Sequence, residues 1–256
     1  MAARRHVGPR SVVNHPENFE RPITAMPMVL MYRSIGRNDD RGAPPGTVTP
    51  ERLERQLRWL QARRLRGVSV GELLRAHAQG STRGLVGLTF DGGYADFATR
   101  AVPVLVRLGF TATVFAVARY VGGYDGWAAG TPRPLMTANQ LRAVADFGME
   151  VGSQGMRHLS LPAASDEEVR DELRESRFVL EEIVQRPVTG FAYPHGHVSP
   201  RVVTEVRIAG YGYACAIRPE EPGRHALART YVGERDRSLL LRAKVVRHEL
   251  QWMVRV

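Results

Sequence analysis

Cysteine is nearly absent: Cys215 stands alone among 256 residues, which excludes a disulfide framework and any cysteine-built metal site. Lysine is as scarce. Lys244 is the only one, so arginine supplies almost all of the positive charge behind a formal net charge of +10. No apolar run reaches the roughly eighteen residues that a membrane-spanning helix needs. Arg4, Arg5 and Arg10 lie near the start, but no apolar stretch follows them, and Pro16, Glu17 and Asn18 break up what does. Residues 1–27 therefore read as a loose arm rather than a secretory signal, and a cytoplasmic location is expected. There is no internal repeat and no low-complexity linker. The arginines are scattered, apart from those between Arg52 and Arg66, and no nucleic-acid-binding module accompanies them, so no nucleic-acid partner is expected. A basic surface that attracts an anionic substrate fits better.

What is there alternates between strands and helices. Met28–Tyr32 and Leu85–Phe90 are apolar strands, with a helix between them in which Thr49 is the N-cap, Pro50 takes the first turn, and Leu53, Leu57 and Leu60 share a face. Ala95–Leu108 reads as a helix closed by Gly109, which Pro103 must bend or split. Further strands are expected at Thr111–Val117, Met149–Gly152, Thr189–Tyr193, Tyr211–Ile217 and Ala226–Thr230. Between them lie a Gly-rich loop over Tyr120–Pro134 and a short helix from Thr137 to Gly148. A longer helix is opened by a Ser165/Glu168 capping box and buries Val169, Leu173, Leu180 and Val184. The length suits one α/β domain over 28–235, with 236–256 as a helical or extended tail of it. Alternation of this kind predicts a parallel sheet covered by helices, open or closed into a barrel.

Chemistry is expected where strands end, because α/β barrels build their sites at the C-terminal ends of strands. Three such ends stand out: Leu88-Thr89-Phe90-Asp91-Gly92-Gly93-Tyr94, Glu150-Val151-Gly152-Ser153-Gln154-Gly155-Met156-Arg157-His158, and Phe191-Ala192-Tyr193-Pro194-His195-Gly196-His197. These resemble, in order, the motifs T-F-D-D-G-Y, S-H-[ST]-x-x-H and F-A-Y-P-Y-G of the polysaccharide deacetylases (NodB homology domain, carbohydrate esterase family four). Val29–Ile35 is similar to that family's opening V-L-M-Y-H-S-I, and Ala209-Gly210-Tyr211 to its A-G-Y. The resemblance covers roughly Met28 to Thr230. It implies a distorted TIM-like (β/α)7 barrel that hydrolyses N- or O-acetyl groups on a carbohydrate or a sugar-containing small molecule. It also implies a zinc-like divalent metal held by one aspartate and two histidines, with the other aspartate as general base and a backbone N–H of the third motif as an oxyanion donor.

The chain departs from that pattern at the metal. Gly92 stands where the metal aspartate would be, Gln154 replaces the first histidine, and Arg33 replaces the histidine of the opening motif. Asp91 and His158 remain as catalytic candidates. Arg33, Tyr193, His195 and Gln154 are candidate substrate-binding residues. One ligand of three does not hold zinc well, so the family metal is expected to be absent or weakly bound. Three outcomes stay open: a family-type hydrolase, a metal-independent enzyme of altered chemistry that uses Asp91 and His158 as an acid/base pair in small-molecule tailoring, or a non-catalytic sugar- or protein-binding relative. His195 raises a further expectation, a rebuilt metal set of Asp91, His158 and His195, with packing as its alternative. Restoring Gly92→Asp together with Gln154→His should regain metal if the barrel mouth is otherwise unchanged. Ser153 reads as a turn residue, His197 as surface loop, and His6, His15, His77, His225 and His248 as solvent-exposed.

Overall fold

The computed structural model describes residues 26–36, 46–127 and 131–253. Among the described residues there are eight strands: β1 (Val29–Tyr32), β2 (Arg66–Val68), β3 (Leu85–Gly92), β4 (Thr113–Ala116), β5 (Glu150–Ser153), β6 (Gly190–Ala192), β7 (Tyr213–Cys215) and β8 (Thr230–Tyr231). Seven helices accompany them: α1 (Pro50–Gln61), α2 (Val70–Ala78), α3 (Val102–Arg107), α4 (Ala138–Asp146), α5 (Asp166–Val184), α6 (Pro200–Ile208) and α7 (Ser238–Met253). Every strand pairing is parallel. The order is β7-β6-β5-β4-β3-β1-β8, with β2 beside the start of β3 and β4 beside its end. The curled sheet closes through residues 226–232. Leu227 exchanges backbone hydrogen bonds with Ala214 and Ala216 on one side (2.8 and 2.9 Å), and Thr230 and Tyr231 pair with Leu30 and Met31 on the other. The result is a distorted α/β barrel of the expected class, in which β2 fills a gap left by the short β4.

Side chains alternate across each strand. Leu88, Phe90, Val114, Val151 and Phe191 face outward into the main core between sheet and helices. Val29, Phe115, Ala192, Tyr213, Cys215 and Leu227 form a second cluster inside the barrel. A Cβ at Gly152 would lie 2.6 Å from the Phe115 ring, so the missing side chain is what admits that ring. At the barrel base, Gly71 N–H, Thr113 hydroxyl and Tyr213 hydroxyl all donate to the Glu150 carboxylate, each at 2.8 Å, and lock the N-terminus of α2 in place.

Three helices, α1, α4 and α5, begin at the expected caps, whereas α2 was not expected. Thr49 and Ser69 cap α1 and α2, while Thr137/Gln140 and Ser165/Glu168 form full capping boxes. Val169, Leu173, Leu180 and Val184 are buried, and so are Glu172 and Ser176 between them. The segment around Pro103 is divided as expected: Phe97–Ala101 forms a π-turn, and α3 starts at Val102 with the proline in its first turn, where its missing N–H is tolerated. Residues 1–25 of the expected N-terminal arm lie outside the described residues. Residues 238–253 are helical, and α7 is tied back by Gln56 Nε2, which donates to the carbonyls of Gly233 and Asp236 just before it. Among the described residues no helix is long and apolar enough to cross a membrane.

Candidate functional site

Asp91 is the last inward-facing side chain of β3 and sits at the barrel mouth. Arg229 grips it from inside the barrel with a two-pronged salt bridge, Nη1 to Oδ1 at 2.6 Å and Nη2 to Oδ2 at 2.9 Å. The arginine side chain is fully buried and that of Asp91 is 11% exposed. Arg229 is itself positioned by the Ala216 carbonyl, the Thr89 hydroxyl and the ring of Phe115. A buried guanidinium with all of these acceptors is a strong, geometrically specific anchor. Sequence reasoning passed over Arg229 because its segment read as a plain strand. The signal was an arginine directly after the apolar run Ala226-Leu227-Ala228, a position that favours burial only when the charge is paired.

Above this pair opens a cleft of about 550 Å³ lined by Arg33, Asp91, Gly92, Gln154, His158 and His195, together with Trp127 and Tyr231. Three separate strand ends thus meet in one cavity, as expected. Trp127 and Tyr231 are additions that no motif marked. Gln154 Oε1 accepts from the Gly92 N–H at 2.9 Å, so these two cleft residues are joined by an internal hydrogen bond. Arg33 has no hydrogen-bond or ion-pair partner among the described residues.

The loop that carries His158 is held from behind. Glu172 of α5 accepts from Met156 N–H (2.8 Å), Arg157 N–H (2.9 Å) and Arg157 Nε (2.6 Å). His158 then takes a left-handed backbone, φ 62°, and His195 does the same at φ 61°. Such a conformation costs a non-glycine residue about 1 kcal/mol or more. His158 is buried between Trp127 (4.7 Å, near-parallel) and His195 (4.7 Å, edge-on), and its Nδ1 has no partner. Burial, then the neighbouring His195 and Arg33, pushes its pKa down to about 3, so the ring is neutral at physiological pH. His195 lies at the exposed rim and is also shifted downward, by desolvation and then by His197 and Arg33.

Several expectations fail on this geometry. Among the described residues no three His, Cys, Asp or Glu side chains are grouped to hold a metal ion, so Asp91, His158 and His195 do not form the rebuilt set. The residues present do not fit the family's metal either: Gly92 has no side-chain donor, Gln154 Oε1 faces the Gly92 N–H, and only His158 remains of the implied ligands. Asp91 and His158 share the cleft but no hydrogen bond, so they are not a directly linked acid/base pair. Tyr193 does not reach the cleft. It points outward from β6, fully buried, and donates its hydroxyl to the His225 carbonyl at 2.6 Å. His225 is half-buried with Nε2 2.8 Å from the Tyr211 carbonyl, His248 is buried beside Thr230, and His77 is half-buried, whereas His6 and His15 lie outside the described residues. Ser153 points outward to Ser176 (2.9 Å), as a structural residue does. Cys215 is inside the barrel with its thiol pushed up to about 12 by burial, which removes it as a nucleophile.

Reversion of the metal positions meets a second obstacle. Gly92 has φ +98°, and a Cβ there would lie 2.6 Å from Cε2 of Tyr94. That ring is buried, with its hydroxyl bound to Asp125 at 2.9 Å. The backbone conformation and this contact both disfavour an aspartate at the position.

Comparison with known proteins agrees with the fold. The family model described as polysaccharide deacetylase matches residues 78–214. A Bacillus subtilis (strain 168) protein named for polysaccharide deacetylation, YxkH, is 23% identical over 210 residues, which is 80% of this chain and 70% of its own. The crystal structure of a Bacillus cereus polysaccharide deacetylase superimposes with a TM-score of 0.73 at 24% identity, covering 86% of this chain and 69% of that one. A Streptococcus pyogenes deacetylase solved in complex with acetate gives 0.73 at 20% identity, covering 88% and 99%.

Proposed function

Because the chain belongs to the polysaccharide deacetylase family, we propose that it takes an acetylated carbohydrate into the barrel-mouth cleft and removes an O-linked acetyl group with Asp91 as the base. The observation that supports this most is the Asp91 carboxylate, fixed by Arg229 and opening onto a cavity that also holds Arg33 and the amide of Gln154. Each carboxylate oxygen keeps a second lone pair when the guanidinium takes the first. Asp91 accepts a proton from water as the water oxygen attacks the acetyl carbonyl. The Arg33 guanidinium and Gln154 Nε2 are the donors available to the carbonyl oxygen as charge builds on it. The C–O bond to the sugar then breaks, and the sugar oxygen recovers the proton from Asp91. An ester suits this site better than an amide, since a leaving amine must be protonated and His158, with a pKa of about 3, is not an acid at neutral pH.

A second reading, a non-catalytic saccharide-binding relative, is favoured by the Gln154–Gly92 hydrogen bond, which closes the two replaced ligand positions on each other. Acetate release from an O-acetylated xylooligosaccharide by chelator-treated protein separates the two. Hydrolysis predicts release that falls about a hundredfold or more in Asp91→Asn. Binding without release, or release that Asp91→Asn leaves untouched, refutes the catalytic reading.

A further inference from the structure

Resting on the reading that a saccharide enters the barrel mouth, we infer that this saccharide is anionic, and that its carboxylate or phosphate is recognised by Arg33 together with Arg218 and Arg247. The main cleft does not end at its own walls. A second cavity of about 220 Å³, lined by Arg218, Arg229, Lys244 and Arg247, adjoins it and shares Ile217 and Tyr231 with it. The two linings together hold five cationic side chains against one carboxylate, Asp91. Two of the five are already committed: Arg229 to Asp91, and Lys244 to Asp236 and the Tyr231 carbonyl. Arg33, Arg218 and Arg247 have neither an ion pair nor a hydrogen bond among the described residues.

Arg33 is half-buried, so its charge is less screened than that of a surface arginine. Arg218 and Arg247 are exposed at the adjoining pocket, where the next unit of a chain would lie. A neutral oligosaccharide leaves all three cations without a partner. One that bears a carboxylate or phosphate satisfies them with charge-assisted hydrogen bonds.

Calorimetry on the full chain at low and high salt tests this with three probes: tetragalacturonate, glucosamine 6-phosphate and neutral chitotetraose. A charged probe should bind at least about tenfold more tightly than the neutral one, the equivalent of one charge-assisted hydrogen bond, and the preference should shrink with salt. Whichever of the two charged probes is preferred identifies carboxylate or phosphate as the recognised group. Arg33→Gln, and separately the pair Arg218→Gln with Arg247→Gln, should each remove most of the preference. Arg33→Lys should retain part of it, and Arg75→Gln on α2 at the barrel base should change nothing. Because Arg218 and Arg247 are exposed, their variants report even if Arg33→Gln misfolds. Equal affinity for neutral and charged probes, or a preference that survives both sets of variants, overturns the inference while leaving the saccharide cleft standing. Binding of none of the three probes overturns both.

Discussion

Restoring the family's metal ligands, Gly92→Asp with Gln154→His, is expected to damage this protein rather than repair it. Three costs add at one place. An aspartate at φ +98° sits in a region L-residues avoid, at about 1–2 kcal/mol. Its Cβ, 2.6 Å from Tyr94 Cε2, must push a buried ring anchored at its hydroxyl by Asp125 and flanked by Arg133, an overpacking worth about 1–3 kcal/mol. Replacing Gln154 removes the buried hydrogen bond to the Gly92 N–H, at about 1 kcal/mol or somewhat more. Together these approach 3–6 kcal/mol, a large share of the roughly 5–15 kcal/mol that a domain has. Urea unfolding of the double variant should show a midpoint well below wild type, and elemental analysis after incubation with zinc should find far less than one ion per chain. A variant that unfolds at the wild-type midpoint and retains one zinc through dialysis refutes the argument. It would mean that the backbone at Gly92 relaxes to the family geometry at little cost.

Arg229→Met should destabilise by about 3–5 kcal/mol, since it leaves the Asp91 carboxylate buried without its partner. Combining it with Asp91→Asn should recover a good part of that loss in denaturant titrations, and simple additivity of the two changes would contradict the pairing. His158 makes stability depend on pH. Its folded pKa of about 3 lies below the ordinary 6.5, so only the unfolded chain takes up a proton as pH falls below about 6.5. Stability is therefore full above that value and is lost progressively down towards pH 3, by about 2 kcal/mol between pH 7 and 5. His158→Gln should flatten this part of the stability profile, and an unchanged slope in the variant would count against the buried neutral ring.

The sequence was most readable where local chemistry acts alone. The caps at Thr49, Thr137 and Ser165 begin helices where expected, and the apolar stripe of α5 is buried as its spacing predicts. The three strand-end motifs converge on one cleft because a parallel barrel gathers the C-terminal ends of its strands at one rim. What was hidden depends on partners far away in the chain. The three-residue β2 and the short α2 have no strong pattern of their own; β2 is held by β3, and α2 is pinned by Thr113 and Glu150. Tyr193 belongs to a site motif but falls on the outward side of β6, because only alternate residues of a strand face the barrel interior. Arg229 lies 138 residues from Asp91, and only ring closure through β8 brings them together.

The pattern of retention has a physical reading of its own. Asp91 and Arg229 lie below the rim in a buried, fully paired arrangement, where losing either partner leaves an uncompensated charge. The Gly92 N–H and the Gln154 side-chain oxygen satisfy each other, and Arg33 brings a fixed positive charge to the rim. A guanidinium differs from a divalent ion in kind: it binds an anionic group through directed hydrogen bonds but does not lower the pKa of a bound water. The Asp91–Arg229 pair is thus the part of the site whose loss the fold itself resists. The pairing with Arg229 gives Asp91 a structural role beside the catalytic one proposed for it. On the reading proposed above, Arg33 and Gln154 assist the acetyl carbonyl through directed hydrogen bonds, the role a divalent ion has in the family pattern.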